Sequence, residues 1–107
     1  MVGGSWEGFV IENIMSIAPA HVKAYFYRTA DGAEIDLILE FSITDLWAIE
    51  IKRNSAPNIS KGFYIACEDI KAARKYVVYS GQETFGLKNN VTLISLFDMM
   101  NTILEYS

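Results

Sequence analysis

The sequence is poor in the residues from which most metal and redox sites are built. Its 107 residues include one cysteine, Cys67, and one histidine, His21. A single cysteine excludes a disulfide within these residues, and without a second cysteine the usual zinc ligand sets cannot form. Low cysteine content is typical of reducing compartments, so the sequence predicts a cytoplasmic location.

Long apolar segments and nucleotide-binding loops are also absent. No run approaches the roughly 18 apolar residues that a membrane helix needs. The first residues, 1–5, lack the basic and apolar regions of a signal peptide. No P-loop pattern occurs, so these residues alone are not expected to bind ATP in that manner. The sequence therefore predicts no membrane association.

Positive charge is scarce. The chain has nine Lys and Arg against 13 Asp and Glu, a net charge of −4. This composition argues against strong non-specific nucleic-acid binding, although a locally basic cleft stays compatible with it. Apolar residues make up 51% and the mean hydropathy is +0.18. Such an apolar excess in a small domain indicates a surface that faces a partner, either a second copy or a neighbouring domain.

Hydrophobic periodicity predicts one α/β domain with the element order α-β-β-β-α-β-β-α. The first three strands are expected to form an antiparallel meander, and the next strand to return through a helix. The predicted segments are a first helix with its apolar stripe at Trp6, Phe9, Val10, Ile14 and Ile17, strands at 24–29, 34–42 and 45–53, a helix at 59–75, strands at 76–80 and 91–95, and a helix at 96–106.

The segment EIDLILEFSITDLWAIEIKR, residues 34–53, reads as a hairpin with acidic residues in unexpected places. If pairing is symmetric about Ile43, Asp36 faces Glu50 and Glu34 faces Lys52. Like charges directly opposite each other are destabilising. The alternation predicts one continuous apolar face, formed by Ile35, Leu37, Leu39, Trp47, Ile49 and Ile51.

Two explanations of the acidic pair are open from spacing alone. Asp36 and Glu50 would suit a hard divalent cation such as Mg²⁺, which takes one or two carboxylates together with waters and phosphate. Lys52, about 7 Å along the strand from Glu50, would then hold a water or stabilise charge on a phosphoryl oxygen. Alternatively, Glu34, Glu50 and Lys52 form ordinary surface ion pairs, worth under about 1 kcal/mol.

The surroundings of this pattern resemble a known superfamily. A helix carrying Glu7, a strand carrying Asp36 and then Glu50-Ile51-Lys52, in α-β-β-β-α-β order, resemble the PD-(D/E)XK nucleases. The segments WEGFV, YFYRTADGAEIDLILE and AIEIK are similar to a domain that follows the ATP-binding module in a prokaryotic family of AAA-type ATPases. This second likeness covers about residues 3–105, and its most specific part runs from Arg28 to Asp36.

The resemblance implies a restriction-endonuclease-like core, an αβββαβ mixed sheet flanked by helices. It implies that residues 1–107 are a single domain, the C-terminal part of a longer ATPase, with residues 1–4 as the end of a linker or an engineered start. Asp36, Glu50 and the main-chain carbonyl of Ile51 would bind Mg²⁺ or Mn²⁺. Lys52 would assist the attacking water, and Glu7 would complete the acidic cluster. Ile35 stands where the name-giving proline would be.

Three functions compete at this point. The first is Mg²⁺-dependent hydrolysis of phosphodiester bonds in DNA, with Glu7, Asp36, Glu50 and Lys52 as catalytic residues. The second is a non-catalytic module that docks an ATPase or another protein, and the third is a dimerising scaffold. The other polar residues are expected to be structural or solvated; Arg28 is the exception, because a salt bridge and a phosphate contact fit it equally well.

Overall fold

The computed structural model describes residues 5–106. Its elements are α1 (Trp6–Ile17), β1 (Lys23–Arg28), β2 (Glu34–Ser42), β3 (Asp45–Ile51), α2 (Lys61–Asp69), β4 (Arg74–Tyr79), β5 (Phe85–Gly86), a 3₁₀ turn (Lys88–Asn90), β6 (Val91–Ser95) and α3 (Leu96–Tyr106). The predicted order is confirmed, with the short β5 added in the expected loop.

The sequence-based interpretations of residues 1–4, as the end of a linker and as a segment without a signal peptide, concern residues outside the described range. Within residues 5–106, no helix is both long and apolar enough to cross a bilayer.

The six strands form one mixed sheet in the order β1-β2-β3-β4-β6-β5. β1, β2 and β3 form the antiparallel meander that the sequence predicts. β4 then pairs in parallel with β3, and β6 in parallel with β4, so α2 lies in a crossover connection. The α/β class and the mixed sheet flanked by helices are confirmed.

Helices cover both faces of the sheet and enclose two apolar cores. On one face, Val10 and Ile14 of α1 pack with Met99 and Ile103 of α3 around Trp47, which has no exposed surface. On the other face, α2 contributes a second core through Phe63, Ala66 and Cys67. A sheet covered on both faces needs apolar side chains on both, and β3 is therefore buried nearly throughout.

The first helix begins and ends where the sequence predicts. The backbone N–H of Gly8 donates to the Ser5 side chain at 3.1 Å, which caps the helix, and the helix ends two residues before Pro19. The predicted apolar stripe was too wide, however. Val10 and Ile14 are fully buried, but Phe9 keeps 53% of its surface exposed.

The second helix is shorter than predicted, ending at Asp69 rather than near residue 75. Lys71 adopts a left-handed conformation, with φ of 54°, and this stops the helix. The Ala73 N–H then donates to the Leu46 carbonyl at 2.7 Å, which leads the chain into the sheet. Helical periodicity continued through Ile70 and Ala73 in the sequence, but only Ile70 keeps its place against the core.

A β-bulge in β2 changes the face on which one predicted residue lies. Tyr25 pairs with Ile38 and Tyr27 with Ile35, so two residues of β2, Asp36 and Leu37, lie opposite Phe26 alone. The extra residue reverses the alternation at this point. The prediction that Ile35 joins the face of Leu37 was therefore wrong, because Ile35 packs in the α2 core.

Candidate functional site

The β2–β3 hairpin has the register that symmetry about Ile43 predicts. Leu37 pairs with Ile49, and Leu39 with Trp47. The regular pairing ends at Leu37 and Ile49, one residue short of Asp36 and Glu50. The acidic pair therefore lies at the mouth of the hairpin, beside the bulge in β2.

Asp36 is fixed by the backbone of the neighbouring strand. The Ile51 N–H donates to Asp36 Oδ2 at 2.8 Å, in place of a ladder hydrogen bond. Burial raises the pKa of Asp36, and this hydrogen bond opposes the rise. In an antiparallel ladder, the N–H and C=O of one residue point to the same neighbouring strand. The Ile51 carbonyl is therefore also directed toward the side of Asp36.

Glu50 is a buried carboxylate whose Oε2 has an ion-pair partner, Lys52, but no hydrogen bond of good geometry within the described residues. Only 4% of the residue is exposed, and its Oε2 makes no hydrogen bond to the described part of the chain. Lys52 Nζ lies 3.4 Å from that oxygen, an ion-pair distance. Burial raises the pKa of Glu50; the Lys52 ammonium opposes the rise, and the charge of Asp36 adds to it. The carboxylates of Asp36 and Glu50 are therefore close enough to repel each other.

Glu7 and Asp36 open onto a common cavity of about 340 Å³. Partial burial raises the pKa of Glu7, and the charges of Asp36 and Glu34 raise it further. The cavity is lined by Glu7 and Ile11 of α1, Phe26 and Arg28 of β1, and Glu34, Ile35 and Asp36 of β2. Glu50 and Lys52 are not among these residues.

The predicted site residues therefore form two adjacent groups. Glu7 and Asp36 share the cavity under α1, whereas Glu50 shares a strand face with Ala48, which packs in the α2 core. The charge of Glu50 also helps to raise the pKa of the Cys67 thiol on α2, behind the larger effect of burial. Asp36 joins the two groups through its hydrogen bond with Ile51 and its repulsion of Glu50.

One hydrogen bond at the site was missed by the sequence analysis. The Trp6 indole N–H donates to the Lys52 carbonyl at 2.8 Å, which ties the start of α1 to the end of β3. Of the two roles predicted for Arg28, the structure shows the salt bridge, which Arg28 makes with Glu34 at 3.4 Å. Both side chains of this pair are substantially exposed, so it contributes under about 1 kcal/mol. A contact between residues 46 positions apart leaves no local sequence signal.

The donor atoms suit a hard cation that is completed by other ligands. Among residues 5–106, no group of three or more His, Cys, Asp or Glu side chains is placed to hold a metal ion. The predicted set is smaller, with two carboxylates and one carbonyl. Mg²⁺ is commonly bound through one or two carboxylates, with waters and substrate phosphate as the remaining ligands. The unsatisfied Oε2 of Glu50 fits this chemistry, and the small set implies weak binding without a phosphate.

The remaining candidate residues have structural or solvent-exposed positions. Burial raises the pKa of the Cys67 thiol to about 12, so this cysteine is not a nucleophile. His21 and Lys61 are exposed. Asp45 does more than form the turn, because it accepts hydrogen bonds from the Trp47 indole, at 3.1 Å, and from the Tyr106 hydroxyl.

Fold and site together define an α/β domain with acidic residues at the mouth of a central hairpin. Residues 2–99 match the family described as a domain of unknown function, DUF4143, and the chain belongs to that family. It is also similar to two mycobacterial proteins, the uncharacterized protein Mb2031c of Mycobacterium bovis and the uncharacterized protein Rv2008c of Mycobacterium tuberculosis. Each is 36% identical over 101 residues, which make up 94% of this chain and 22% of the relative. No solved structure shows significant similarity to the chain.

Proposed function

We propose that this domain is a Mg²⁺-dependent nuclease of the PD-(D/E)XK type, which hydrolyses phosphodiester bonds in DNA. The observation that carries the proposal is the buried Glu50 carboxylate, which has the Lys52 ammonium 3.4 Å from Oε2 and is close enough to Asp36 for the two charges to interact. An unsatisfied buried polar atom costs about 1–3 kcal/mol, and charged groups cost more. A binding role would account for a carboxylate that is buried with a single cationic partner.

Asp36, Glu50 and the Ile51 carbonyl would hold Mg²⁺, or Mn²⁺ in its place. The bound ion would supply Lewis acidity and positive charge to the scissile phosphate. Lys52, held by its ion pair with Glu50, would donate a hydrogen bond to the attacking water and orient it toward phosphorus. Its positive charge would also stabilise the charge that grows on the phosphoryl oxygens. Glu7, which lines the same cavity as Asp36, would add a third carboxylate near that ligand.

The proposal includes a second module in the same protein. The chain spans 22% of the length of its mycobacterial relatives, which leaves room for further domains in proteins of this kind. An AAA-type ATPase module preceding the nuclease domain would supply the basic surface that this acidic chain lacks. The nuclease would then act on DNA that the ATPase module binds.

The test is cleavage of single-stranded, duplex and branched DNA in the presence of Mg²⁺ or Mn²⁺. The wild-type chain should cleave at least one of these substrates, and Lys52→Ala should lose the activity. Lys71→Ala, which removes an exposed lysine of the α2–β4 turn, serves as the matched control and should cleave normally. Cleavage that survives Lys52→Ala, or no cleavage by the wild type with either ion, would refute the proposal.

A non-catalytic docking module is the second candidate, and two observations favour it. One oxygen of Asp36 is already engaged by the Ile51 N–H. In addition, edge strand β1 presents Phe26 and Tyr25, which are 71% and 46% exposed, a surface suited to an ATPase module or a second copy. Thermal melting separates the candidates. Millimolar Mg²⁺ should raise the melting temperature of a nuclease but not of its Asp36→Ala variant, whereas a dimer should melt at a concentration-dependent temperature.

A further inference from the structure

We propose that a cavity beside Lys52 binds an unpaired nucleotide of the substrate, so that the enzyme prefers DNA that is single-stranded where it is cut. This inference rests on the proposed nuclease function and names its substrate class. The aromatic cavity, as we call it, has a volume of about 450 Å³ and is lined by Ser5, Trp6, Phe9, Arg53 and Ser80. Pockets for small ligands typically measure about 300–1,000 Å³.

The aromatic side chains of this cavity are held in place next to the catalytic lysine. Trp6 donates its indole N–H to the Lys52 carbonyl at 2.8 Å, so the ring cannot turn away without losing that bond. Phe9 stacks on Trp6, with ring centroids 5.9 Å apart and planes inclined by 28°. Phe9 nevertheless keeps 53% of its surface exposed. A fixed and partly exposed aromatic pair is the kind of platform on which nucleobases stack.

The cation at this cavity gives the nucleotide its orientation. Arg53 directly follows Lys52 and is exposed, so its guanidinium can contact the phosphate of a nucleotide whose base lies on Phe9. A duplex keeps its bases stacked inside the helix and cannot offer one to the aromatic pair. Single-stranded DNA, an overhang or a branch point offers such a base at little cost.

The negative net charge of the chain distinguishes binding by base stacking from binding of DNA phosphates through a basic protein surface. The net charge is −4, so affinity must come mainly from stacking, with Arg53 and Lys52 as the phosphate contacts. Two phosphate contacts to a single strand predict a slope of log K against log salt of about −1 to −2. Binding through an extended basic surface would give a much steeper slope.

The experiment measures binding by fluorescence anisotropy in EDTA, so that no hydrolysis takes place. The probe is a labelled oligothymidylate of about 12 nucleotides, compared with an abasic strand and a blunt duplex of the same length. Phe9→Ala should weaken oligothymidylate binding about 5- to 150-fold, since stacking contributes about 1–3 kcal/mol per base. The abasic strand should bind weakly to wild type and variant alike.

Phe85→Ala is the matched control, because Phe85 is 47% exposed but does not line the aromatic cavity. It should bind oligothymidylate as the wild type does. The inference would be overturned if Phe9→Ala bound oligothymidylate as tightly as the wild type does. It would also be overturned if the wild type bound the abasic strand as tightly as oligothymidylate, or preferred the duplex. The nuclease proposal fails separately, because a wild type that binds oligothymidylate as expected but cleaves nothing with Mg²⁺ supports the cavity and refutes only hydrolysis.

Discussion

Replacing the Glu50 carboxylate should stabilise the fold while removing the proposed activity. In the metal-free protein, Glu50 Oε2 is buried and makes no hydrogen bond within the described residues. Such an atom costs about 1–3 kcal/mol. The Lys52 ammonium at 3.4 Å offsets part of this cost, but a third of that side chain is exposed, and the pair gains under about 1 kcal/mol. The net penalty is therefore about 1–2 kcal/mol.

Glu50→Gln keeps the shape of the side chain and removes its charge, and Glu50→Met removes the polar atoms as well. Urea and thermal unfolding in EDTA should show each variant about 1–2 kcal/mol more stable than the wild type, with a melting temperature about 4–16 °C higher. The control, Glu12→Gln on the exposed face of α1, should change stability by less than about 0.5 kcal/mol. If both Glu50 variants are less stable than the wild type, the carboxylate is satisfied and the reasoning is wrong.

Three further predictions concern pH, packing and reactivity. The pKa of Glu50 is raised above 4.5 in the folded state, so the folded protein binds a proton at this carboxyl more tightly than the unfolded chain does. The difference in unfolding free energy between Glu50→Gln and the wild type should therefore narrow as the pH falls through the raised pKa. A difference that stays constant with pH would refute this. Gly62→Ala would put a Cβ 2.3 Å from the Gly32 carbonyl oxygen, so it should lower the free energy of unfolding in urea by about 1–3 kcal/mol. Gly86→Ala, where a Cβ meets open space, is the control and should lower it less. The Cys67 thiol has a pKa of about 12, so alkylation by iodoacetamide should be slow until the protein unfolds, and rapid labelling of the native protein would contradict its burial.

The hairpin register could be predicted because two independent signals agree. Apolar residues alternate along β2 and β3, and a short turn at Ile43 and Thr44 joins the strands, with a register shift confined to the turn end between Glu40 and Ser42. A slip by one residue would expose the buried set, which includes Trp47, and this cost fixes the pairing. The same reasoning located β6 and α3 at their observed boundaries, residues 91–95 and 96–106.

The features that the sequence did not reveal are backbone irregularities without a local signature. The bulge at Asp36 and Leu37 contains no glycine, and it moves Ile35 to the opposite core. The end of α2 depends on a left-handed residue that is Lys71, where glycine or asparagine is the usual signal. Pattern analysis of a single segment therefore does not detect either irregularity.

The division of the acidic residues also depends on tertiary structure. Periodicity indicated that Glu7 lies near the edge of the α1 stripe, but it could not show that α1 covers Asp36 while Glu50 lies outside the same cavity. Likewise, the hydrogen bond between Trp6 and Lys52 follows from the docking of α1 against the end of β3. Residue types at a spacing predicted which groups to examine, and the fold decided which of them share a cavity.

The most direct test is anomalous diffraction from crystals of the chain grown with Mn²⁺ and a short DNA strand. A metal site of the proposed kind predicts one strong peak bounded by the Asp36 and Glu50 carboxylates and the Ile51 carbonyl, at about 2.1–2.2 Å from each oxygen. Crystals of Asp36→Ala should lack the peak. Ordered DNA with no peak at this position in wild-type crystals would contradict the central claim.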